Sequence, residues 1–357
     1  MSMKLFGEAS RYVDFSTSIK NIGFTVDSKG TKYGTLTNNE FKPYKIFTST
    51  FDPMSLVPLT LEAMEDGVII TFRNRSSNAV SYKINGNSSG TINSNNNATI
   101  QLLHTGDVIQ FYGSASSYSS SKISCNGDCY IYGNIMSLIN GDNFENLKVL
   151  ESSGAFSSLF SDNEHIKNKN SANLVLPATT ITECCYQNMF FGCTGLTKAP
   201  ALPATILANN CYEYMFQNCS SLTTAPDLPA TTLADDCYDS MFSYCTQLTN
   251  IPTILPATTL TTACYHGMFE GCENITSAPI LPAPTLVEGC YCGMFAYCEK
   301  LTNITCLATD ISTEYSTVDW LSYTSSTGTF TKAAGMNNWP TSTSGIPEGW
   351  TVQNYVD

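Results

Sequence analysis

Charged side chains are scarce in this chain of 357 residues, and basic ones are scarcest. Charged residues make up 13% of the sequence, and 17 Lys and Arg stand against 30 Asp and Glu, for a formal net charge of −13. Proteins that bind nucleic acid or anionic membrane surfaces need clustered Lys and Arg to contact phosphate groups. We therefore expect neither nucleic acid nor a membrane among the partners of this chain.

Long apolar runs are also missing. No stretch of about 18 apolar residues occurs, and the first residues, MSMKLFGEASRYVDF, lack the apolar core of a secretory signal. We therefore expect a chain that does not span a membrane and is not exported by the ordinary secretory route. Its 15 cysteines are then expected to be mostly reduced thiols.

Few residues support catalysis or metal binding. The chain has three His and no Cys-x-x-Cys, so a zinc site is not expected. Gly86-Asn-Ser-Ser-Gly90 fits the G-x-S-x-G pattern of nucleophilic hydrolases, but it lies among Asn, Ser and Gly with no helix pattern after it. Asp235, Asp236 and Asp239 are expected to form a solvated face rather than a Ca²⁺ site. We expect no enzyme activity, no catalytic residue, no metal and no cofactor.

The sequence does contain a repeat, and one unit reads LPATTLADDCYDSMFSYCTQLTNIP from Leu228 to Pro252. Each unit has an LPA segment, a Cys-Tyr pair, a Met-Phe pair and a second cysteine at fixed spacing. An atypical unit with Leu159-Phe160 precedes the regular ones, and one with Trp320-Leu321 follows them. Five regular units between two atypical ones are typical of a capped solenoid. The LPA segments begin at Leu176, Leu202, Leu228, Leu255 and Leu281.

Apolar residues within a unit recur mostly at every third position, as in Phe242, Cys245, Leu248 and Ile251. This spacing predicts short strands and tight turns wound into a coil. The Leu-Thr pairs, such as Leu248-Thr249, are predicted to be parallel strands with an outward Thr ladder. The Cys-Tyr-x-x-Met-Phe segment is predicted to form a short helical turn on the opposite side. A proline is predicted to end each strand, because it cannot donate to a ladder; these are Pro200, Pro226, Pro252 and Pro279.

The cysteines of the repeat are predicted to be structural. Residues at one repeat position stack on each other, so these thiols are expected to be small buried hydrophobic groups. Neighbouring thiols would lie within disulfide range, but five in a row cannot all pair. Cys125-Asn-Gly-Asp-Cys129 is separate: it is either a turn with a disulfide across a hairpin or a plain turn with two thiols. The structural cysteines are Cys185, Cys193, Cys211, Cys219, Cys237, Cys245, Cys264, Cys272, Cys290 and Cys298.

The motif Phe190-x-x-Cys193-x-x-Leu196 followed by Leu202-Pro203 recurs in every regular unit with small changes. In this the chain resembles the BspA-like leucine-rich repeats, over about residues 156–320. The resemblance implies a leucine-rich-repeat fold and protein or glycan binding, and it implies no chemistry. Repeats of this family occur in surface proteins of gut and oral bacteria, in protist surface proteins and in structural proteins of phages that infect gut bacteria.

We predict a mostly-β fold with three parts. Residues 1–50 are expected to form an N-terminal anchoring or assembly segment, since they contain β-like pieces but no repeat. Residues 51–140 read as short strands between Gly, Asn and Ser clusters, which predicts a small β-sandwich. Residues 141–357 are predicted to be the leucine-rich-repeat solenoid, with regular units over about residues 174–306 and a cap at each end.

Ligand binding is expected at positions that vary between units while the rest of the unit stays fixed. Aromatic and acidic side chains at such positions could stack on sugars or hold a basic protein surface. The outward Thr ladder is a second candidate face. The candidate binding residues are Glu213, Tyr214, Asp239, Tyr244, His266, Glu270 and Tyr297.

These observations favour a phage virion protein, such as a fibre or decoration component. Its N-terminal region would contact other virion subunits, its repeats would bind a bacterial surface protein or glycan, and the chain is expected to form a homo-oligomer. It would be assembled in the bacterial cytoplasm and carried on the particle. The alternative is a bacterial cell-surface adhesin of BspA-like type that binds host protein or glycan.

Overall fold

The computed structural model describes residues 22–27, 30–37, 40–43 and 52–356. The chain divides into two compact units, Met1–Asp52 and Pro53–Asp357. In the first unit, β1 (Ile22–Asp27), β2 (Gly30–Thr37) and β3 (Glu40–Pro43) form an antiparallel sheet. The rest of the predicted anchoring segment, residues 1–50, lies outside the described residues. Among the described residues, strands far outnumber helices, which confirms the predicted mostly-β fold class.

The second unit begins with a 3₁₀ turn at Pro53–Leu56 and eight strands that belong to two sheets. One sheet has the order β10-β5-β8, and the other contains β4, β9, β6 and β7 in that order with β11 beside β4. The region 51–140, predicted to contain short strands, does contain them. The strands are β4 (Thr60–Ala63), β5 (Val68–Arg73), β6 (Val80–Ile84), β7 (Asn87–Ile92), β8 (Asn97–Leu102), β9 (Val108–Tyr112), β10 (Lys122–Cys125) and β11 (Cys129–Asn134).

Apolar side chains of the two sheets contact each other. Buried and less buried residues alternate along β5 and β9, as expected where one face of a sheet is covered. Phe72 of β5 meets Phe111 of β9 edge to face, with ring centroids 5.3 Å apart. Gly86–Gly90 lies in the β6–β7 hairpin with no helix after it, so it has no nucleophile-elbow geometry.

The strand β11 joins this region to the repeats. It pairs in parallel with β12 (Ile166–Asn168), which lies in the atypical unit, and with β13 (Leu174–Val175), which directly precedes the first LPA segment. A short helix, α1 (Ser137–Asn140), and a 3₁₀ turn (Gly141–Asn143) follow β11 directly. The strands of this region and the repeats lie in the same compact unit, Pro53–Asp357.

The segment from the first to the second cysteine of a unit is a series of tight turns, not the predicted helical turn. Alternate backbone N–H groups donate to the carbonyl three residues earlier, as the Cys245 N–H does to the Phe242 carbonyl. The remaining N–H groups donate to carbonyls of the next unit, as the Phe242 N–H does to the Met268 carbonyl at 2.9 Å. Every fourth residue has a positive φ, for example Asp236, Ser240 and Tyr244 at 51° to 58°. A helix would direct every N–H to the residue four back, so it would leave no donors for the neighbouring unit.

On the side of each unit opposite the turn segments, strands of adjacent units pair in parallel without interruption only near the C-terminus. There β14 (Ser277–Leu281), β15 (Asn303–Cys306), β16 (Thr329–Lys332) and β17 (Thr351–Asn354) form a four-stranded parallel sheet. Earlier units show only isolated bridges, such as Lys198 to Thr224 and Thr224 to Asn250. Each of these earlier units has a proline, which has no N–H to donate and so limits parallel pairing between units.

One predicted strand end is wrong. Pro279 lies inside β14, at the register shift between Ser277 and Ile280, instead of ending the strand. A bulge lets the missing donor fall outside the ladder.

Two columns of stacked rings run through the core of the repeats. Phe216 and Phe242 are 5.6 Å apart and nearly parallel, and Tyr212 and Tyr238 are 5.7 Å apart. The tyrosine column starts on Tyr118 beside the sheets and ends on tryptophans of the last units. Its members are Tyr118, Phe156, Tyr186, Tyr212, Tyr238, Tyr265, Tyr291, Trp320 and Trp339.

Among the described residues, no helix is long and apolar enough to cross a membrane.

Candidate ligand-binding ridge

A tyrosine ridge, defined as Tyr244, Gly271, Tyr297 and Tyr323, follows one exposed edge of the turn segments. All four residues have φ between 58° and 67°. A left-handed backbone is disfavoured for bulky side chains by about 1 kcal/mol or more. The same positive φ recurs at every fourth residue of the turn segments, where it serves the hydrogen bonds between units. The tyrosines remain 44%, 45% and 69% exposed, so their ring faces are accessible to a ligand.

The rings of the tyrosine ridge contact one another or the adjacent backbone. Tyr297 and Tyr323 stack with centroids 4.7 Å apart and an angle of 10° between planes. Tyr244 lies over Gly271, where an added Cβ would be 2.7 Å from the ring. The Tyr244 hydroxyl donates to Glu270 Oε1 at 3.2 Å, and the carboxylate raises the pKa of this tyrosine. The ridge thus presents flat apolar rings beside a carboxylate acceptor.

A second row, called the polar row, consists of the residues that follow the Cys-Tyr pairs: Gln187, Glu213, Asp239, His266 and Cys292. Each contacts the next unit or its own turn. Glu213 Oε2 accepts from Gln187 and from Asn210. His266 Nδ1 lies 3.0 Å from Asp239 Oδ1, and the Ser240 hydroxyl donates to that same oxygen at 2.6 Å.

Carboxylates at the centre of the polar row shift the pKa values of the groups around them. Hydrogen bonds with Asp239 and then with Cys292 raise the pKa of His266 to about 10. Burial, followed by the charges of Asp239 and Asp235, raises the pKa of Asp236. Burial and the nearby Asp239 carboxylate raise the pKa of Tyr214 to about 12.

The predicted binding residues therefore separate into two groups. Tyr244, Glu270 and Tyr297 lie on or beside the tyrosine ridge. Glu213, Asp239 and His266 lie in the polar row, and Tyr214 is half-buried next to it. Asp239 is buried and hydrogen-bonded, so it is not the solvated carboxylate that was expected.

Three residues of the tyrosine ridge and polar row are absent from the predicted binding residues, and the sequence carries a signal for two of them. Tyr323 stands 26 residues after Tyr297, but the atypical last unit lacks the cysteine that would mark it. Cys292 follows Tyr291 where His266 follows Tyr265, and a partly exposed thiol was overlooked among many buried ones. Gly271 matters through the ring above it, which sequence spacing does not reveal.

The outward Thr ladder uses its hydroxyls internally. Thr223 Oγ1 donates to the Thr197 carbonyl at 3.0 Å, and Thr302 Oγ1 donates to the Thr276 carbonyl at 3.2 Å. These groups stabilise the stacking of units and are less free to bind a ligand. The tyrosine ridge is therefore the better candidate surface.

The ten structural cysteines of the repeat are buried, as expected for packing residues. The second thiol of each unit also donates to the phenylalanine carbonyl of the preceding unit, as Cys245 Sγ does to Phe216 O at 3.1 Å. Burial raises the pKa of these thiols, so they stay protonated.

Cys125 and Cys129 are free thiols. The turn between them joins strands of different sheets and closes no hairpin, because β10 pairs with β5 while β11 pairs with β4. The two thiols nevertheless contact each other, and a hydrogen bond from Cys129 lowers the pKa of Cys125.

Within the part of the chain that the structure describes, no group of three or more His, Cys, Asp or Glu side chains converges on a possible metal position.

Comparison with known proteins gave no relatives: no family model matches the chain, and no curated protein or solved structure is similar to it.

Proposed function

We propose that this chain is a non-enzymatic structural and binding protein, built as a capped leucine-rich-repeat solenoid of BspA-like type joined to a small β-sandwich-like region. Backbone hydrogen bonds between residues about 26 apart, atypical units at both ends and two continuous ring columns support the solenoid. The packing of Phe72 on Phe111 between two sheets supports the sandwich.

The repeats bind a glycan of a bacterial surface through the tyrosine ridge. The observation that carries this proposal is the stack of Tyr297 and Tyr323, whose rings are 45% and 69% exposed. Sugar rings present C–H groups that pack on aromatic faces, while their hydroxyls donate to carboxylates such as Glu270. The acidic surroundings favour a neutral or cationic ligand over an anionic one.

The biological setting that fits best is a phage virion, with the chain as a fibre or decoration component. The N-terminal region would attach to other subunits, and the repeats would face the host. The scarcity of basic residues and the resemblance to repeats found in phage structural proteins support this setting. A bacterial cell-surface adhesin remains the second candidate, and immunogold labelling of particles and of cells distinguishes the two.

Binding by the tyrosine ridge is tested with Tyr297→Ala and Tyr323→Ala in the full chain, against a panel of bacterial surface polysaccharides. We expect each variant to weaken binding about tenfold, because an aromatic contact contributes roughly 1 kcal/mol or more. Affinity is measured by isothermal titration calorimetry on the polysaccharide that the unmodified chain binds.

Tyr315→Ala is the matched control. Tyr315 is 63% exposed and has a φ of 61°, but it belongs to another column. Its loss should leave the affinity unchanged. Equal binding by the unmodified chain and both ridge variants would exclude the tyrosine ridge as the binding surface.

A further inference from the structure

A cavity of about 380 Å³ lies among the residues that follow the atypical unit of Trp320, and we call it the cap cavity. Pockets that hold small ligands have volumes of roughly 300 to 1,000 Å³. Met336 and Trp350 in its wall are buried, whereas Asn337 is exposed, so the cavity reaches solvent. Its lining includes Lys332, Met336, Asn337, Trp339, Thr341 and Trp350.

Two tryptophan rings contribute to the wall of the cap cavity. Trp339 is the last member of the ring column, and its ring stacks on Trp320 with centroids 5.5 Å apart and 8° between planes. Phe330 meets the Trp339 ring at an angle of 67°. Among the described residues, no further ring stacks on Trp339. A flat ligand in the cavity can therefore pack on a ring face that the fold leaves uncovered.

The indole N–H groups of the three tryptophans differ in what they contact. Trp320 Nε1 donates to Gly345 O and Trp350 Nε1 donates to Ser325 O, each at 2.8 Å. Trp339 Nε1 is buried and has no hydrogen-bond partner in the described part of the chain. A buried donor without an acceptor lowers stability. Because only ring contacts hold the Trp339 side chain, a bound molecule that supplies an acceptor can draw this N–H toward it.

The charge of the cap cavity is opposite to that of the chain. Lys332 is the charged residue of its lining, which contains no Asp or Glu although the sequence has 30 of them. Lys332 Nζ donates to Asn354 Oδ1 at 2.8 Å and forms no ion pair with a described residue. Glu348 is exposed and is not part of the lining. An unpaired ammonium group beside neutral donors suits a carboxylate.

We propose that the cap cavity binds an acidic sugar, namely a uronic acid residue of a polysaccharide. One C–H face of the sugar packs on the ring of Trp339 or Trp350, and the carboxylate binds Lys332. The hydroxyls hydrogen-bond with Asn337 and Thr341. This site goes beyond the proposed function and does not rest on it, because the tyrosine ridge lies beside carboxylates and favours a neutral or cationic glycan.

An acidic sugar fits the cap cavity better than an aromatic carboxylate does. Both classes could pack on a tryptophan and pair with Lys332. An aromatic ring, however, offers no partner to Asn337 and Thr341, which can each donate and accept hydrogen bonds. Sugar hydroxyls also donate and accept, so they use these groups without leaving them desolvated and unpaired.

The test measures binding of galacturonate and glucuronate to the full chain by isothermal titration calorimetry. We expect at least one of them to bind with a Kd of about 1 mM, the order expected for a ligand of this size. Galactose and glucose are the neutral counterparts. They should bind at least about tenfold more weakly, because they make no charge-assisted hydrogen bond with Lys332.

Lys332→Met should weaken binding of the uronate at least about fivefold through loss of the charged donor. Lys300→Met is the matched control, because Lys300 Nζ also donates to an asparagine oxygen, Asn274 Oδ1 at 2.6 Å, but lies outside the lining. It should leave the affinity unchanged. Trp339→Leu should abolish binding, and circular dichroism confirms that each variant is folded.

Four results would overturn the proposal. They are the absence of uronate binding at millimolar concentrations, equal affinity for galactose and galacturonate, equal effects of Lys332→Met and Lys300→Met, and tighter binding of indole-3-acetate than of galacturonate. Tyr297→Ala should leave uronate binding unchanged, so failure of the tyrosine ridge and failure of the cap cavity are separate outcomes. A loss of uronate binding in Tyr297→Ala would place acidic sugars on the ridge and contradict this site.

Discussion

Individual tyrosines of the buried ring column differ in what their hydroxyl groups contact. The Tyr118 hydroxyl donates to the Leu138 carbonyl at 2.7 Å, at the end of the column beside the sheets. The hydroxyls of Tyr186 and Tyr212 are buried without a hydrogen-bond partner. A buried polar group without a partner lowers stability, because it loses its hydrogen bonds to water and gains none. Stacking of the rings compensates for this loss.

Removal of the Tyr212 hydroxyl should therefore not harm the fold. We expect Tyr212→Phe to leave the free energy of unfolding unchanged or to raise it by up to about 1 kcal/mol. Tyr118→Phe is the matched control and should lower it by about 1–2 kcal/mol, since the Leu138 carbonyl loses its donor. Urea denaturation followed by circular dichroism measures both. A larger loss of unfolding free energy in Tyr212→Phe than in Tyr118→Phe would contradict the view that only the Tyr118 hydroxyl has a hydrogen-bond partner.

The turn segment is the structural element on which the repeat depends. Its left-handed residues direct alternate N–H groups to the next unit, and Asn, Asp or Gly occupy many of these positions. These residue types tolerate a positive φ better than others do. Asn218, with a φ of 62° and an exposed side chain, is a position where the backbone effect can be separated from core packing.

Substitutions at Asn218 should follow backbone preference. We expect Asn218→Val to lower the free energy of unfolding by about 1–2 kcal/mol, because a β-branched side chain clashes in the left-handed region. Asn218→Gly should stay within about 0.5 kcal/mol of the unmodified chain. Gln217→Val, one residue before, is the control and should have a small effect. Equal losses in Asn218→Val and Gln217→Val would show that side-chain loss, and not backbone strain, is responsible.

At the scale of the whole molecule, the buried thiols and phenols make stability depend on pH. Burial raises the pKa of Cys193, Cys219, Cys245 and Cys272 and of the tyrosines in the adjacent column. These groups keep their protons when folded and lose them when unfolded at alkaline pH. Their contribution to stability is complete below the unfolded-state pKa values and is lost as pH rises above them.

We expect the free energy of unfolding to hold steady to about pH 8 and then to fall steeply. Each buried thiol contributes a slope of about 1.4 kcal/mol per pH unit above its unfolded-state pKa of about 8.5. Urea denaturation under reducing conditions between pH 7 and 10.5 measures the decline. Tyrosinate absorbance from the buried column should appear only when circular dichroism is lost.

Cys245→Ala is the control for this alkaline effect. It should lower stability by about 1–2 kcal/mol at neutral pH, through the lost packing and the lost contact with Phe216. It should also reduce the slope of the free energy of unfolding above about pH 8.5 by the contribution of one thiol, about 1.4 kcal/mol per pH unit. A slope in this variant equal to that of the unmodified chain would indicate that groups other than the buried thiols set the pH dependence.

The sequence alone determined the repeat, its length and its buried positions. Core side chains recur at fixed intervals, because each unit must place the same apolar atoms against its neighbour. Cys245, Phe242 and Tyr238 could therefore be recognised as packing residues, and the strands between residues 67 and 132 followed from alternation and turn residues. The same reasoning identified Tyr244 and Tyr297 as variable positions.

The tertiary structure decided what the side chains of different units do together. The turn segments resemble helix in their spacing, but alternate N–H groups bond to residues about 26 positions away, which no local pattern reveals. The stack of Tyr297 on Tyr323 and the contact of His266 with Asp239 arise for the same reason. Stacking brings residues of separate units within hydrogen-bond distance, so their chemistry depends on register between units and not on neighbours in the chain.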